Sequence, residues 1–191
     1  MILRFVYVGL LFMFTATASV RADVFRIQLS DDMARLMYVS ESFGQSLGRM
    51  ELEGGYLYSK KNDTVSDYLL HVGTQVRGES LDAPLIITIG GRLYYGRADD
   101  HSIGGMGLGG DLALMPEAWN GFGIGAYLYF VPSVITFNDA DGMHEVGVTA
   151  NFQVTSQALV QLGLQQIKVD LKDAPDRTID EGLYLGVNLQ F

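Results

Sequence analysis

Three histidines, His71, His101 and His144, carry whatever imidazole chemistry this chain can offer, and the sequence contains no cysteine. Thiolate nucleophiles, thiolate metal sites and disulfides are therefore excluded. His101 follows Asp99 and Asp100, and His144 lies just behind Asp139 and Asp141. A carboxylate beside a histidine can orient it to activate water, and neighbouring acids can hold a divalent cation. Both groups fall where turns are expected, however, and acids at hairpin tips are ordinarily solvated. The segment Gly105-Met106-Gly107-Leu108-Gly109-Gly110 has dinucleotide-binding spacing, yet no helix follows to present its N-terminus to a pyrophosphate. The sequence thus predicts no catalytic residue, no cofactor and no metal site, and a protein that is not an enzyme.

What remains is charge placed on alternating strands. Over 48–59, Met50, Leu52, Tyr56 and Tyr58 face one way and Arg49, Glu51 and Glu53 the other. Over 64–77, Tyr68, Leu70, Val72 and Val76 oppose Asp67, His71, Gln75 and Arg77; over 142–154, Val146, Val148, Ala150, Phe152 and Val154 oppose Glu145, Thr149, Asn151 and Gln153. A charge held in hydrocarbon costs several kcal/mol, so in a membrane the charged faces must point inward. The lumen candidates are Arg26, Arg35, Arg49, Glu51, Glu53, Asp67, His71, Arg77, Arg92, Asp111 and Glu145. A ring of one sign would select ions, whereas interleaved arginine and glutamate can pair across a lumen and plug it. Gly105, Gly107 and Gly109 share a face with Asp111, which leaves room for Arg92, Tyr94, Tyr127 and Tyr129 to fold across from neighbouring strands. A soluble antiparallel sandwich with one solvated face predicts the same alternation.

The two ends of the chain favour the barrel. Residues 182–191 alternate, with Leu183, Leu185, Val187, Leu189 and Phe191 on one face and Gly182, Tyr184, Gly186, Asn188 and Gln190 on the other. This ending resembles the C-terminal assembly signal of bacterial outer-membrane barrels, here carried by Gly186, Leu189 and Phe191. At the other end, Arg4 precedes an apolar run from Phe5 to Phe14 and small residues through Ala18, the layout of a secretory signal peptide. Cleavage is expected after Ala22, with Ala18 as the alternative, giving a signal peptide of 1–22 and a barrel of 23–191. Removing Arg4 and Arg21 takes the formal charge from −9 to −11. So acidic a chain is a poor nucleic-acid binder, since phosphate neutralisation needs clustered Lys and Arg.

Turn-forming clusters delimit ten strands, at about 24–30, 33–42, 48–59, 64–77, 84–96, 102–115, 120–136, 142–154, 157–171 and 180–191. Eight is the runner-up, because bacterial single-chain barrels have even strand numbers. The uncharged stretch 121–137 is long enough to be read as a helix, but its glycines, aromatics and Pro132 suit a strand better. With the chain starting in the periplasm, Tyr56, Tyr58, Tyr94, Tyr95 and Phe130 fall near the outer interface. Trp119, Phe122, Phe152 and Phe191 fall near the inner one, and such belts anchor barrels at headgroup depth. The expectation is an all-β, transmembrane, antiparallel up-and-down barrel, monomeric, in the outer membrane, in contact with its lipids and lipopolysaccharide and assembled through Phe191 by the barrel assembly machinery.

Three segments resemble the YfaZ family of small outer-membrane proteins: Tyr129-Phe130-Val131-Pro132-Ser133-Val134-Ile135-Thr136-Phe137-Asn138-Asp139, Leu162-Gly163-Leu164-Gln165-Gln166-Ile167-Lys168, and Asp180 through Phe191. The resemblance implies an outer-membrane barrel of porin type and carries no catalytic residues. The leading expectation is a narrow channel or a structural membrane protein. A surface-binding or adhesion barrel using the acidic loops 138–141 and 172–176 is the alternative, and an outer-membrane enzyme comes last.

Overall fold

The computed structural model describes residues 23–43, 49–62, 65–80 and 83–191. The expected signal peptide, 1–22, and parts of the expected turns at 43–47, 60–63 and 78–83 lie outside the described residues. The strands are β1 (Val24–Leu29), β2 (Met33–Phe43), β3 (Arg49–Asn62), β4 (Val65–Glu79), β5 (Leu85–Ala98), β6 (His101–Leu114), β7 (Phe122–Val131), β8 (Thr136–Asn138), β9 (Ala140–Thr155), β10 (Ala158–Leu171) and β11 (Arg177–Gln190). Neighbours pair antiparallel, β1 pairs with both β2 and β11, and β5 pairs with β6, so the sheet closes on itself. Closure removes the unpaired edges that an open sheet exposes. The segments β7 and β8 lie along the same neighbour β6, so the ring has ten staves.

That shared stave corrects the expected continuous strand 120–136. Pro132 has no N–H to give a ladder and ends β7. A 3-10 turn, Ser133–Ile135, follows before Thr136, Phe137 and Asn138 rejoin β6 opposite Gly105, Gly104 and Ile103. The reversal then falls at Asn138, whose φ of 62° is tolerated by asparagine. The Asp141-Gly142 pair, which has the composition of a hairpin turn, lies inside β9.

Alternation sorts side chains between the two faces. Outside lie Leu70, Val72, Leu93, Tyr95, Leu108, Leu128, Leu164 and Leu185, all exposed and apolar, a surface suited to hydrocarbon. Tyr94 departs from the expected outer belt. It is 1% exposed, because a residue between Leu93 and Tyr95 must point the other way. No helix among the described residues is long and apolar enough to cross a membrane, which says nothing of strands.

Several large inward side chains fit through a recurring device, a glycine opposite them on the next stave. The pairs are Gly55 with His71, Gly73 and Gly107 with Arg92, Gly105 with Tyr94, Gly109 with Tyr129, Gly147 with Tyr127, and Gly163 with Tyr184. At Gly55, Gly109, Gly147 and Gly163 the partner's ring lies over the missing side chain, and at Gly73 the Arg92 stem does, whereas Val131 covers Gly105 and Tyr94 together with Val131 covers Gly107, as glycine in a strand allows. At Gly147 an added Cβ would sit 2.6 Å from the Tyr127 ring, whose hydroxyl donates to Gln165 Oε1 at 2.8 Å. Gly147→Ala is expected to destabilise by about 1–3 kcal/mol through overpacking, measured by urea unfolding of the refolded protein. The same change in a Tyr127→Ala background should cost much less, and equal costs would show that the ring is not the obstacle.

Candidate functional site: the barrel interior

Across the middle of the lumen runs a chain of alternating charges. Glu145, from β9, accepts from Arg35 of β2 at 2.5 Å and lies 3.5 Å from Arg92 of β5. Arg92 also engages both carboxylate oxygens of Glu53, from β3, through its Nε and, at 3.0 Å, its Nη2. The Arg92 guanidinium stacks 3.5 Å above the Tyr129 ring, and the Tyr94 hydroxyl donates to Glu145 at 3.2 Å. All four ionic side chains are at most 3% exposed. Two arginines and two glutamates cancel, so the cluster can neutralise itself without water. Charge-assisted pairs are the strong class of hydrogen bond.

Toward the end opposite the termini, hereafter the far end, the inward face turns apolar. Met33, Leu57, Leu69, Ala98, Ile103, Val131, Ala140, Met143, Ile167, Val169, Leu171 and Ile179 form one buried cluster. The cavity among Leu69, Tyr94, Ile103, Val131, Met143 and Val169 holds about 10 Å³, room for one water at most. A register shift between Ile167 and Lys168 buries both Ile179 and Asp180, although they are consecutive. Asp180 is satisfied there, accepting from Gln165 at 2.6 Å and Ser30 at 3.1 Å. Asp67, wholly buried, accepts from the Asp99 N–H at 2.7 Å and pairs with Arg177 at 3.0 Å, closing the rim.

The end carrying the termini is different. Its inward residues are small or polar and half-buried: Arg26, Asp111, Ala113, Gly125, Thr149 and Asn188. Asp111 lies 3.0 Å from the Tyr129 hydroxyl, which is also 3.2 Å from Gln75 Oε1. Glu51 accepts from Gln75 at 2.8 Å and lies 3.6 Å from Arg77. Arg49 sits on the rim, its side chain 56% exposed, beside Glu41 at 3.2 Å. Gln28, Gln161 and Asn151 form an amide ladder on the neighbouring wall. This end is a shallow vestibule, floored by the charge chain.

The structure therefore brings Arg35, Glu53, Arg92 and Glu145 together, with His71 alongside, its ring 5.9 Å from Tyr94 and its Nε2 unpartnered. It sets Asp67 at the far rim, Glu51, Arg77 and Asp111 around the vestibule, Arg49 at its lip, and Arg26 in no ion pair with any described acid, though within electrostatic reach of Asp111. The far-end apolar layer is what reading for charge passes over. Its signal was present: in β10 one face runs Gln161, Gly163, Gln165 and then Ile167, Val169, Leu171.

The histidine clusters disperse. Asp100 pairs with Arg97 at 2.6 Å, and Asp139 accepts from the Ser102 N–H at 3.1 Å. His144 lies in β9 opposite Phe130 and Lys168. Among the described residues no group of His, Cys, Asp and Glu could hold a metal ion. At the chain end, Gly186 is buried and Phe191 is 70% exposed, its N–H donating to the Asp23 carbonyl at 3.0 Å. An open apolar depression of about 590 Å³ bounded by Leu112, Ala126, Val148, Ala150, Leu162 and Leu183 lies on the outer wall, away from all of this chemistry.

An apolar exterior around a closed ring with paired charges inside defines a small β-barrel of the membrane-spanning kind. The chain belongs to the YfaZ family, whose model, described as YfaZ precursor, matches residues 2–191. No curated protein matches it. Among solved structures it is similar to the outer membrane channel DcaP of Acinetobacter baumannii, with 9% identity and a TM-score of 0.39 over 88% of this chain and 61% of that one. The chain thus spans about three fifths of that channel's length.

Proposed function

We propose that this protein is a structural, non-enzymatic barrel of the outer membrane, sealed toward the cell exterior and open as a vestibule toward the periplasm. The observation that carries the reading is the filled interior: Tyr94, Tyr129, Tyr184 and Glu145 are each 1% exposed, beneath an apolar layer of similar burial. Orientation follows the usual asymmetry of such barrels, short turns in the periplasm and longer loops outside. The tight turn at Thr155 lies at the terminal end, and the acidic segments around Asp139 and Asp173 at the far end. Oppositely charged lumen groups that pair with one another leave no ring of one sign to select an ion.

Planar-bilayer recording tests this. The refolded mature protein is expected to be silent over long recordings, and Arg92→Ala to remain silent because the apolar layer above it is untouched. Steady unitary steps in wild type that widen and become more cation-selective in Arg92→Ala would replace the sealed barrel with a constricted channel.

A further inference from the structure

Arg26 is the inward arginine that the charge chain leaves out. It makes no ion pair or hydrogen bond with any described residue, although Arg35, Arg77 and Arg92 each have a carboxylate within 4 Å. Of its three nitrogens only Nε is shut away from solvent, so both Nη groups present free N–H donors to the vestibule. Asn188 lies directly beside it across the β1–β11 ladder. The Asn188 Oδ1 is buried and unpartnered while its amide nitrogen reaches the open space. Behind them, Gln28 is 3% exposed with Oε1 unpartnered, and Arg35 is 2% exposed with Nε unpartnered. Buried polar atoms without partners are rare in folded proteins and mark a place where water or a ligand completes the bonding.

Charge decides what that ligand is. The vestibule acids are already engaged, Glu51 by Gln75 and Arg77 and Asp111 by the Tyr129 hydroxyl. On the wall around Arg26 the neighbours are neutral amides, Gln28, Gln161, Asn151 and Asn188, and Asp111, the acid within its electrostatic reach, makes no ion pair with it and accepts from the Tyr129 hydroxyl instead. A planar guanidinium with two free Nη groups, flanked by a carboxamide N–H, matches two oxygens of one anion. The geometry points to a small-oxyanion site in the vestibule, formed by Arg26 and Asn188, that takes a phosphate or carboxylate group. It rests on the sealed-barrel reading for the side from which the ion arrives, the periplasm, and on nothing else in that reading.

The test is a titration of the refolded, isotope-labelled mature protein in detergent micelles, following the amide resonances of residues 24–29 and 186–190. Inorganic phosphate, acetate and chloride are added in separate arms at constant ionic strength. Saturable shifts with phosphate, acetate or both are expected, and the arm that saturates identifies the oxyanion. Arg26→Gln should weaken binding at least tenfold and Asn188→Ala several-fold, while Arg49→Gln at the rim leaves it unchanged. Arg26 has no carboxylate partner to strand, so its variant should keep the heat-modifiable gel mobility of a folded barrel; Asn188→Ala supplies the same comparison independently. Shifts that fail to saturate, that chloride reproduces, or that survive both substitutions would overturn the site. A conducting wild type would instead overturn the seal and leave the titration result standing.

Discussion

Glu145→Ala is expected to destabilise the folded barrel by about 3–5 kcal/mol, the loss seen when one partner of a buried ionic cluster is removed. The carboxylate receives Arg35 at 2.5 Å, Arg92 at 3.5 Å and the Tyr94 hydroxyl at 3.2 Å, and all three side chains lie in a region closed to water. Without it Arg35 loses its only described carboxylate, and Arg92 must rely on Glu53 alone. Desolvation of an unpaired guanidinium, and not the lost attraction, sets the size of the effect. The double variant Arg35→Met, Glu145→Leu removes the pair together and should recover most of the stability, since an ion pair replaced by apolar groups of similar volume is often neutral. Arg49→Ala, which breaks a pair whose arginine is 56% exposed, should cost no more than about 1 kcal/mol. Urea unfolding in micelles orders the three. If Glu145→Ala proved as mild as Arg49→Ala, the lumen would be wet at Glu145 and the seal would fail there.

Alternation made most of this fold legible. A period of two is set by the backbone and survives any uncertainty about strand ends, so the inward phase of Glu51 and Glu53, of Asp67 and His71, and of Arg92 could be read directly from their apolar neighbours. The break in the seventh stave was legible in part, since Pro132 announces a missing donor. Whether the chain then turns away or rejoins β6 depends on what the neighbouring strand offers, here Gly104 beneath the Phe137 ring. Partner choice within the lumen was not legible. Glu53, Asp111 and Glu145 are equivalent as inward acids, and only the stagger of one stave against another decides that Glu145 meets Arg35 across 110 residues of sequence. The same stagger leaves Arg26 without a described ion pair, with Asp111 within electrostatic reach but unpaired to it. Glycine placement was half legible: the strip at Gly105, Gly107 and Gly109 announced room, but the partner of each glycine follows from register.

Arginine at Leu93 is expected to cost about 2–4 kcal/mol when the barrel is unfolded from lipid vesicles, the range for a cation on the lipid face near the midplane. Leu93 lies in the middle of β5, paired with Val72 on one side and Met106 on the other, and all three are exposed on the outer wall. The position sharpens the argument because its chain neighbour, Arg92, is an arginine that the fold holds with two carboxylates and an aromatic ring. Moving the same side chain by one residue takes it from a paired interior to hydrocarbon with no partner within reach. Val134→Arg, in the turn between β7 and β8 where the residue is 86% exposed, provides the control and should lie within about 1 kcal/mol of wild type, as charges near the membrane interface do. A soluble sandwich would tolerate both substitutions equally on its solvated surface. A large penalty at Leu93 with none at Val134 therefore measures the lipid directly, and equal tolerance would mean that this apolar wall does not face a membrane.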